Sequence, residues 1–221
     1  MIGPWDTEQT VRDREQMVRA LGTLDPRIAG AMRRMPRHRF VPASESAHAY
    51  FDEPVPLGPS GSTVSAPHMV ALQLAALDLR AGVSLLEVGS GSGYLLALAA
   101  EIIGPSGRLV GLEHEASLVE RSRRVLADLG FGARVKIEEA DGWLGWPSGA
   151  PYDRIVVSAA TARLQPQWRA QLREGGRLVL PLGPPGVQRL LTVRAGPEGD
   201  RYESGPACQF VPLTVAGSPH I

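Results

Sequence analysis

Three alternate glycines, Gly89, Gly91 and Gly93, stand between an apolar run and a helical pattern in "LLEVGSGSGYLLALAAE". A strand-to-helix turn without side chains lets a ligand lie against the main chain, with the amides of the new helix turned toward it. With Glu87 before it and Ser90 inside it, the loop has the makings of a cradle for a small cofactor. A nicotinamide dinucleotide would want its third glycine one place later, where Tyr94 stands, so hydride transfer lacks its most specific signature. About twenty residues on, the next apolar run ends in "GLEHE", which sets the Glu113 carboxylate, with His114 beside it, where a ribose would offer two hydroxyls. The third run leads to "EADGWLGW", whose Asp141 and Gly142 are placed to meet an adenine edge in the same crevice. Taken singly, a glycine loop or an Asp-Gly pair is often only a turn. The order of strand, loop, helix and acid is what favours a ribose-bearing cofactor.

The elements that must position these residues follow from the periodicity. Strand patterns fall at 84–88, 108–113, 134–139, 153–158, 177–182, 188–195 and 208–213, with helices fitting at 92–103, 115–129 and 165–173. Such alternation predicts an α/β fold, a doubly wound, mostly parallel seven-stranded sheet with its ligand outside the carboxyl ends of the strands. The connection "GPEGDRYESGP" is too short and polar for a crossover helix, so the C-terminal pair of strands is expected to be antiparallel. Ahead of the sheet, residues 8–35 carry two amphipathic helical patterns, the second starting at Asp25 and Pro26, which suit a cap and a first turn. A Pro-, Ser- and Gly-rich stretch follows, and a further helical run starts at Ala66. Residues 1–221 are expected to form one domain, with N-terminal helices and a covering loop over 1–80 and the cofactor-binding core over 81–221.

Composition narrows the partners. The 23 basic residues match 23 acidic ones, and the longest basic run, "RSRR", lies on a helical pattern as a solvated face. Nucleic acid is therefore not expected as a partner. Cys208 is the single cysteine, which excludes an intramolecular disulfide and a Cys-rich zinc site. No metal is expected. The N-terminus is charged and has no apolar core, and no stretch approaches the roughly 20 apolar residues of a membrane span, so a cytoplasmic protein without a membrane partner is expected.

The blocks "AMRRMPRHRFVP", "TVSAPHMVA", "LLEVGSGSGY", "EADGWLGW", "PYDRIVVSAA", "EGGRLVLPLG" and "FVPL" run through most of the chain. In that order they resemble the protein L-isoaspartyl (D-aspartyl) O-methyltransferases. The resemblance implies a Rossmann-like methyltransferase fold with S-adenosylmethionine in the crevice, leaving S-adenosylhomocysteine. It implies the Gly89–Gly93 loop beside the methionine part, Glu113 on the ribose, and Asp141 and Gly142 by the adenine. Thr63, Val64 and Ser65 would close over the reactive end with His68 nearby, and Ser65 matches the family's active-site serine. Ser65 also stands where a helix N-cap would, and His68 where a surface histidine would.

What the resemblance implies as function is repair of damaged proteins and peptides by methylation of isoaspartyl or D-aspartyl carboxylates, through a methyl ester and a succinimide. The activated methyl and a carboxylate already ionised at neutral pH leave alignment as the main requirement. Ser65 would orient the acceptor and not attack as a nucleophile. "GPSGSTVS" departs from the family: it carries one residue more, and Ser62 stands where glutamine is usual. That departure keeps two alternatives open, a methyltransferase dedicated to one peptide natural product and a cofactor-binding protein without catalysis. "FVPL" would offer either a strand edge for an extended peptide or an ordinary core strand.

Overall fold

The structure, a computed structural model, describes residues 4–214. At the N-terminus Thr7 caps α1 (Glu8–Ala20), and Asp25 caps α2 (Pro26–Arg34) with Pro26 in the first turn, as that dipeptide predicts. Arg14 anchors α1 by forking onto both carboxylate oxygens of Asp6 at 2.9 Å. The Pro- and Gly-rich stretch holds a small hairpin, β1 (Val55–Pro56) against β2 (Thr63–Val64), before α3 (Pro67–Leu77).

From there strand and helix alternate: β3 (Ser84–Val88), α4 (Tyr94–Ile103), β4 (Arg108–Glu113), α5 (Ala116–Asp128), β5 (Val135–Glu139). Two 3-10 turns lead on to β6 (Tyr152–Val157), α6 (Pro166–Ala170), β7 (Leu172–Leu182), β8 (Arg189–Arg194) and β9 (Arg201–Ala207). These last seven strands form one sheet in the order β5-β4-β3-β6-β7-β8-β9, parallel as far as β7 and antiparallel at β8 and β9. Alternate residues face opposite ways, and both faces are buried. Leu85, Leu109, Val135, Val156 and Val179 pack with the side chains of α1 to α5 on one face. Leu86, Val110, Ile155 and Leu178 pack around Trp168 of α6 on the other. Strands covered on both faces need near-continuous apolar runs, which is why their pattern is so plain in the sequence.

The last strand is displaced from its expected place. It occupies 201–207, almost wholly within the stretch that reads as a connection, and not 208–213. An edge strand is held by its backbone pairing with β8, so Arg201, Glu203 and Ser204 satisfy it without an apolar pattern. "FVPL" is neither a sheet strand nor free: Gln188 grips both main-chain groups of Phe210, at 2.7 and 3.1 Å, and Pro212 makes a single parallel bridge with Ala160. The helix expected over 165–173 stops at Ala170, because β7 starts at Leu172 and takes up Gly175 and Gly176 in an irregularity between its pairings with Tyr152 and Arg154. Among the described residues no helix is long and apolar enough to cross a membrane, and no group of three His, Cys, Asp or Glu could hold a metal ion.

Candidate active site

The switch point of the sheet lies at β3, which pairs with β4 on one side and β6 on the other, and the glycine loop leaves from its end. Gly89, Gly91 and Gly93 have φ of 75°, 51° and 80°, left-handed values that side chains resist, so glycine is required for this turn. Most amides of the loop are committed within the protein, the Ser92 amide excepted. Gly89 and Ser90 both donate to the Leu112 carbonyl, Gly91 to Glu113 Oε2 at 2.9 Å, Gly93 to the Ser90 carbonyl, and Tyr94 to Ser92 Oγ. A loop with its N–H groups committed in this way is not built for a pyrophosphate, which binds by collecting free amides at a helix start. It suits a cofactor without phosphate.

Beside the loop is a cleft of about 350 Å³, partly open to solvent, lined by Thr63, Val64, Ser65, Glu87, the Gly89–Ser92 segment and Ser158, among others. Four polar atoms of lining residues, Gln73 Nε2, Glu87 Oε2, Ser90 Oγ and the Tyr94 hydroxyl, are buried without a partner. Buried polar groups are rarely left so, and their convergence on one cleft marks the place of a polar ligand. The ammonium, carboxylate and hydroxyl groups of S-adenosylmethionine fit that donor and acceptor set. Glu87 Oε1 accepts from the Ser158 hydroxyl at 2.6 Å. Burial pushes the Glu87 carboxyl up to about 8, opposed by the Ser158 bond and reinforced by the Glu113 charge.

Glu113, at the end of β4, is buried and accepts three main-chain amides, from Gly91, His114 and Glu115, at 2.8 to 3.0 Å. It therefore shapes the glycine loop, and adjoins the cleft through Gly91. His114 Nδ1 lies 3.1 Å from Glu113 Oε1, and its Nε2 meets the Thr214 hydroxyl at 3.1 Å. Residues 211–214 thus run from Ala160, three residues beyond β6, to His114, just after β4, beside the carboxyl ends of the strands.

The opposite wall is the end of the hairpin. Ser65 is not an N-cap: α3 is capped at Ala66, which offers no side-chain acceptor, and the amide of His68 is instead taken by Asp52 Oδ1 at 2.9 Å. The same oxygen meets His68 Nδ1 at 2.9 Å. Behind Ser65 lies Arg37, which is fully buried. Its Nε donates to the Ala49 carbonyl at 2.7 Å, one terminal nitrogen donates to the Ser65 carbonyl at 2.9 Å, and the guanidinium covers the Tyr94 ring at 4.9 Å.

Eight of the expected site residues, Thr63, Val64, Ser65, Glu87, Gly89, Ser90, Gly91 and Tyr94, line one cleft, and Glu113 adjoins it through Gly91. Others stand back from its wall. Gly93 faces Leu126 on α5, Asp141 spends a carboxylate oxygen on the Trp143 amide, and Gly142 lies against Val88 with its carbonyl taken by the Trp168 indole. His68 is held by Asp52. Gln73, Ser158 and Arg37 escaped the sequence reading. Gln73 had a signal, a lone polar residue within the apolar run "VALQLAAL", and so did Ser158, at the carboxyl end of a strand beside the switch point.

A profile of the protein-L-isoaspartate(D-aspartate) O-methyltransferase family matches residues 13–217. The protein-L-isoaspartate O-methyltransferase of Methylorubrum populi is 45% identical over 203 residues, 90% of this chain and 92% of that one. The corresponding protein of Methanopyrus kandleri is 41% identical over 207 residues, 91% of each. Among solved structures, a protein-L-isoaspartate O-methyltransferase superposes with a TM-score of 0.83 at 26% identity, over 91% of this chain and 66% of that one. A Plasmodium falciparum protein described as a beta-aspartate methyltransferase, in complex with S-adenosyl-L-homocysteine, superposes with a TM-score of 0.81 at 25% identity, over 91% of this chain and 98% of that one. With its fold, its glycine loop and nearly its whole length shared in this way, the chain belongs to the protein-L-isoaspartate(D-aspartate) O-methyltransferase family.

Proposed function

We propose that this chain transfers the methyl group of S-adenosylmethionine to the free carboxylate of isoaspartyl or D-aspartyl residues in damaged proteins and peptides. The observation that carries the reading is that the glycine loop and the Thr63–Ser65 segment face each other across one cleft, a cofactor wall opposite an acceptor wall. S-adenosylmethionine supplies a methyl group already activated by its sulfonium. The protein's task is then alignment and the exclusion of water. Glu113 fixes the cofactor through its ribose, and Gln73, Glu87 and Ser90 offer the remaining polar contacts. Ser65, whose hydroxyl has no hydrogen bond among the described residues, orients the acceptor carboxylate so that its oxygen lies in line with the methyl group. No general base is needed, because the attacking oxygen is ionised at neutral pH. The ester is attacked by the next backbone amide of the substrate, which expels methanol and closes a succinimide without further help from the chain.

The turn between β1 and β2, Leu57–Ser62, contains the residues that depart from the family pattern, and its tip is exposed beside the acceptor wall. This is the place where a preference for one natural-product peptide would arise. Labelled S-adenosylmethionine, incubated with a peptide in its isoaspartyl and normal aspartyl forms, tests both readings. Base-labile label on the isoaspartyl form alone is the expected result. Label on neither form removes the repair reading, and label on the aspartyl form supports the dedicated one.

A further inference from the structure

Arg37, with no exposed surface, has no carboxylate within ion-pair distance among the described residues; Arg154, also buried and bonded only to carbonyls, differs in lying at the opposite ends of the strands under the charges of Asp78 and Asp153. The other deeply buried arginine near it, Arg14, is matched by Asp6. Arg37 is enclosed by carbonyls and by Tyr94: Ala49 and Ser65 accept from it, the Tyr94 ring lies beneath it with its buried hydroxyl close to the guanidinium, and its remaining terminal nitrogen, Nη1, is buried with no acceptor in full hydrogen-bond geometry. Asp52 is the acid whose charge bears on it, and the Oδ1 of that residue is committed to His68. Two of the groups that Arg37 touches, Ser65 and Tyr94, line the cleft, so the guanidinium sits one layer behind its wall.

An isolated buried cation is expensive to keep, and proteins retain one where an anion arrives to balance it. A frame for two carbonyls needs donors but not a charge. We propose that Arg37 is the residue that makes the acceptor site selective for a carboxylate, by placing uncompensated positive charge behind Ser65 while fixing the Ser65 main chain through its carbonyl. This rests on the reading of Ser65 as the residue that meets the acceptor. Arg37 touches neither cofactor nor substrate, so it is a positioning residue whose charge acts through the wall. The ligand it selects is the free carboxylate of the isoaspartyl residue, and the group it rejects is the same position as a neutral carboxamide. Because the charge is buried, salt screens it weakly, and selection persists at ionic strengths that erase surface attraction.

The test uses the full chain saturated with S-adenosylhomocysteine and a pair of peptides identical except for carboxylate or carboxamide at the isoaspartyl position. Calorimetry of the wild type should give at least tenfold tighter binding of the carboxylate. Arg37→Gln and Arg37→Met, two neutral replacements of which the second needs no partner in a buried shaft, should bring that ratio to within about twofold of one. Arg37→Lys should keep most of the ratio while turnover falls, since an ammonium supplies charge without the fork that holds two carbonyls. The inference is overturned if the neutral variants weaken both peptides equally, or if Arg37→Lys loses the ratio as they do. Affinity for S-adenosylhomocysteine should stay unchanged in all three, and a loss there would assign the charge to the cofactor instead. Failure of the wild type to bind or methylate an isoaspartyl peptide would count against the proposed function and not against Arg37.

Discussion

One wall of the cleft is main chain held by the sheet, while the wall opposite is a loop segment held by side chains from distant parts of the chain. On the cofactor side, Gly89 and Ser90 hang from the Leu112 carbonyl and Gly91 from Glu113, so position is set by β3 and β4 themselves. On the side proposed for the acceptor, Ser65 is placed by Arg37 and the start of α3 by Asp52, residues 28 and 16 positions away. A cofactor common to many enzymes can be met by a rigid turn whose form follows from the fold. An acceptor peculiar to one family needs a segment that can vary without disturbing the sheet.

If the cofactor wall depends on Glu113, its removal should have the largest effect. Glu113→Ala should weaken S-adenosylhomocysteine about a hundredfold, the loss of two charge-assisted bonds to a ribose at about 1.5 kcal/mol each. Titration calorimetry checks this, and an affinity within threefold of wild type would mean that the carboxylate serves only Gly91, His114 and Glu115. The acceptor wall should break in the opposite sense. Ser65→Ala should lower turnover on an isoaspartyl peptide about tenfold while leaving S-adenosylhomocysteine affinity intact, since the contact is made to the acceptor. Because Ala66 is the cap of α3, stability should change by no more than about 0.5 kcal/mol. A variant with normal turnover per folded molecule would remove Ser65 from the chemistry.

The smallest effect sharpens the cofactor wall. With its carboxyl raised to about 8, Glu87 keeps a proton in the folded chain over a range in which the unfolded chain has lost it. The folded state then binds more protons from its unfolded value of 4.5 to about 8, and stability of the ligand-free protein declines as pH rises through that window. Glu87→Gln has no such proton to lose, so its melting temperature relative to wild type should improve by several degrees between pH 5 and pH 8. A constant difference across those pH values would show that Glu87 is ionised throughout.

The contrast between the walls also decides what the sequence alone discloses. The strand, the three glycines and Glu113 are local or lie at a fixed interval, and buried parallel strands announce themselves by their apolar runs. Ser65 stands out through its motif, but the sequence leaves a role as a cap open, and only the backbone at Ala66 excludes that role. Arg37, in "PRHRF", reads as one more surface arginine, because nothing local tells that Ala49, Ser65 and Tyr94 will enclose it. Asp52, in "YFDEP", reads as a turn residue for the same reason. The edge strand β9 was missed because its side chains are solvated and its stability lies in main-chain bonds, which composition does not record.

The cap supplied by Asp52 has a consequence for motion. A helix that carries its own stopper can fray and re-form without consulting the rest of the molecule, whereas α3 borrows its stopper from a segment that must itself be in place. When the stretch around Ala49 to Glu53 lifts away, the amide and ring of His68 are released in the same event, and so is the acceptor for one nitrogen of Arg37. The two segments therefore form one opening unit in deuterium exchange: the His68 amide should exchange in step with that stretch and ahead of the middle turns of α3.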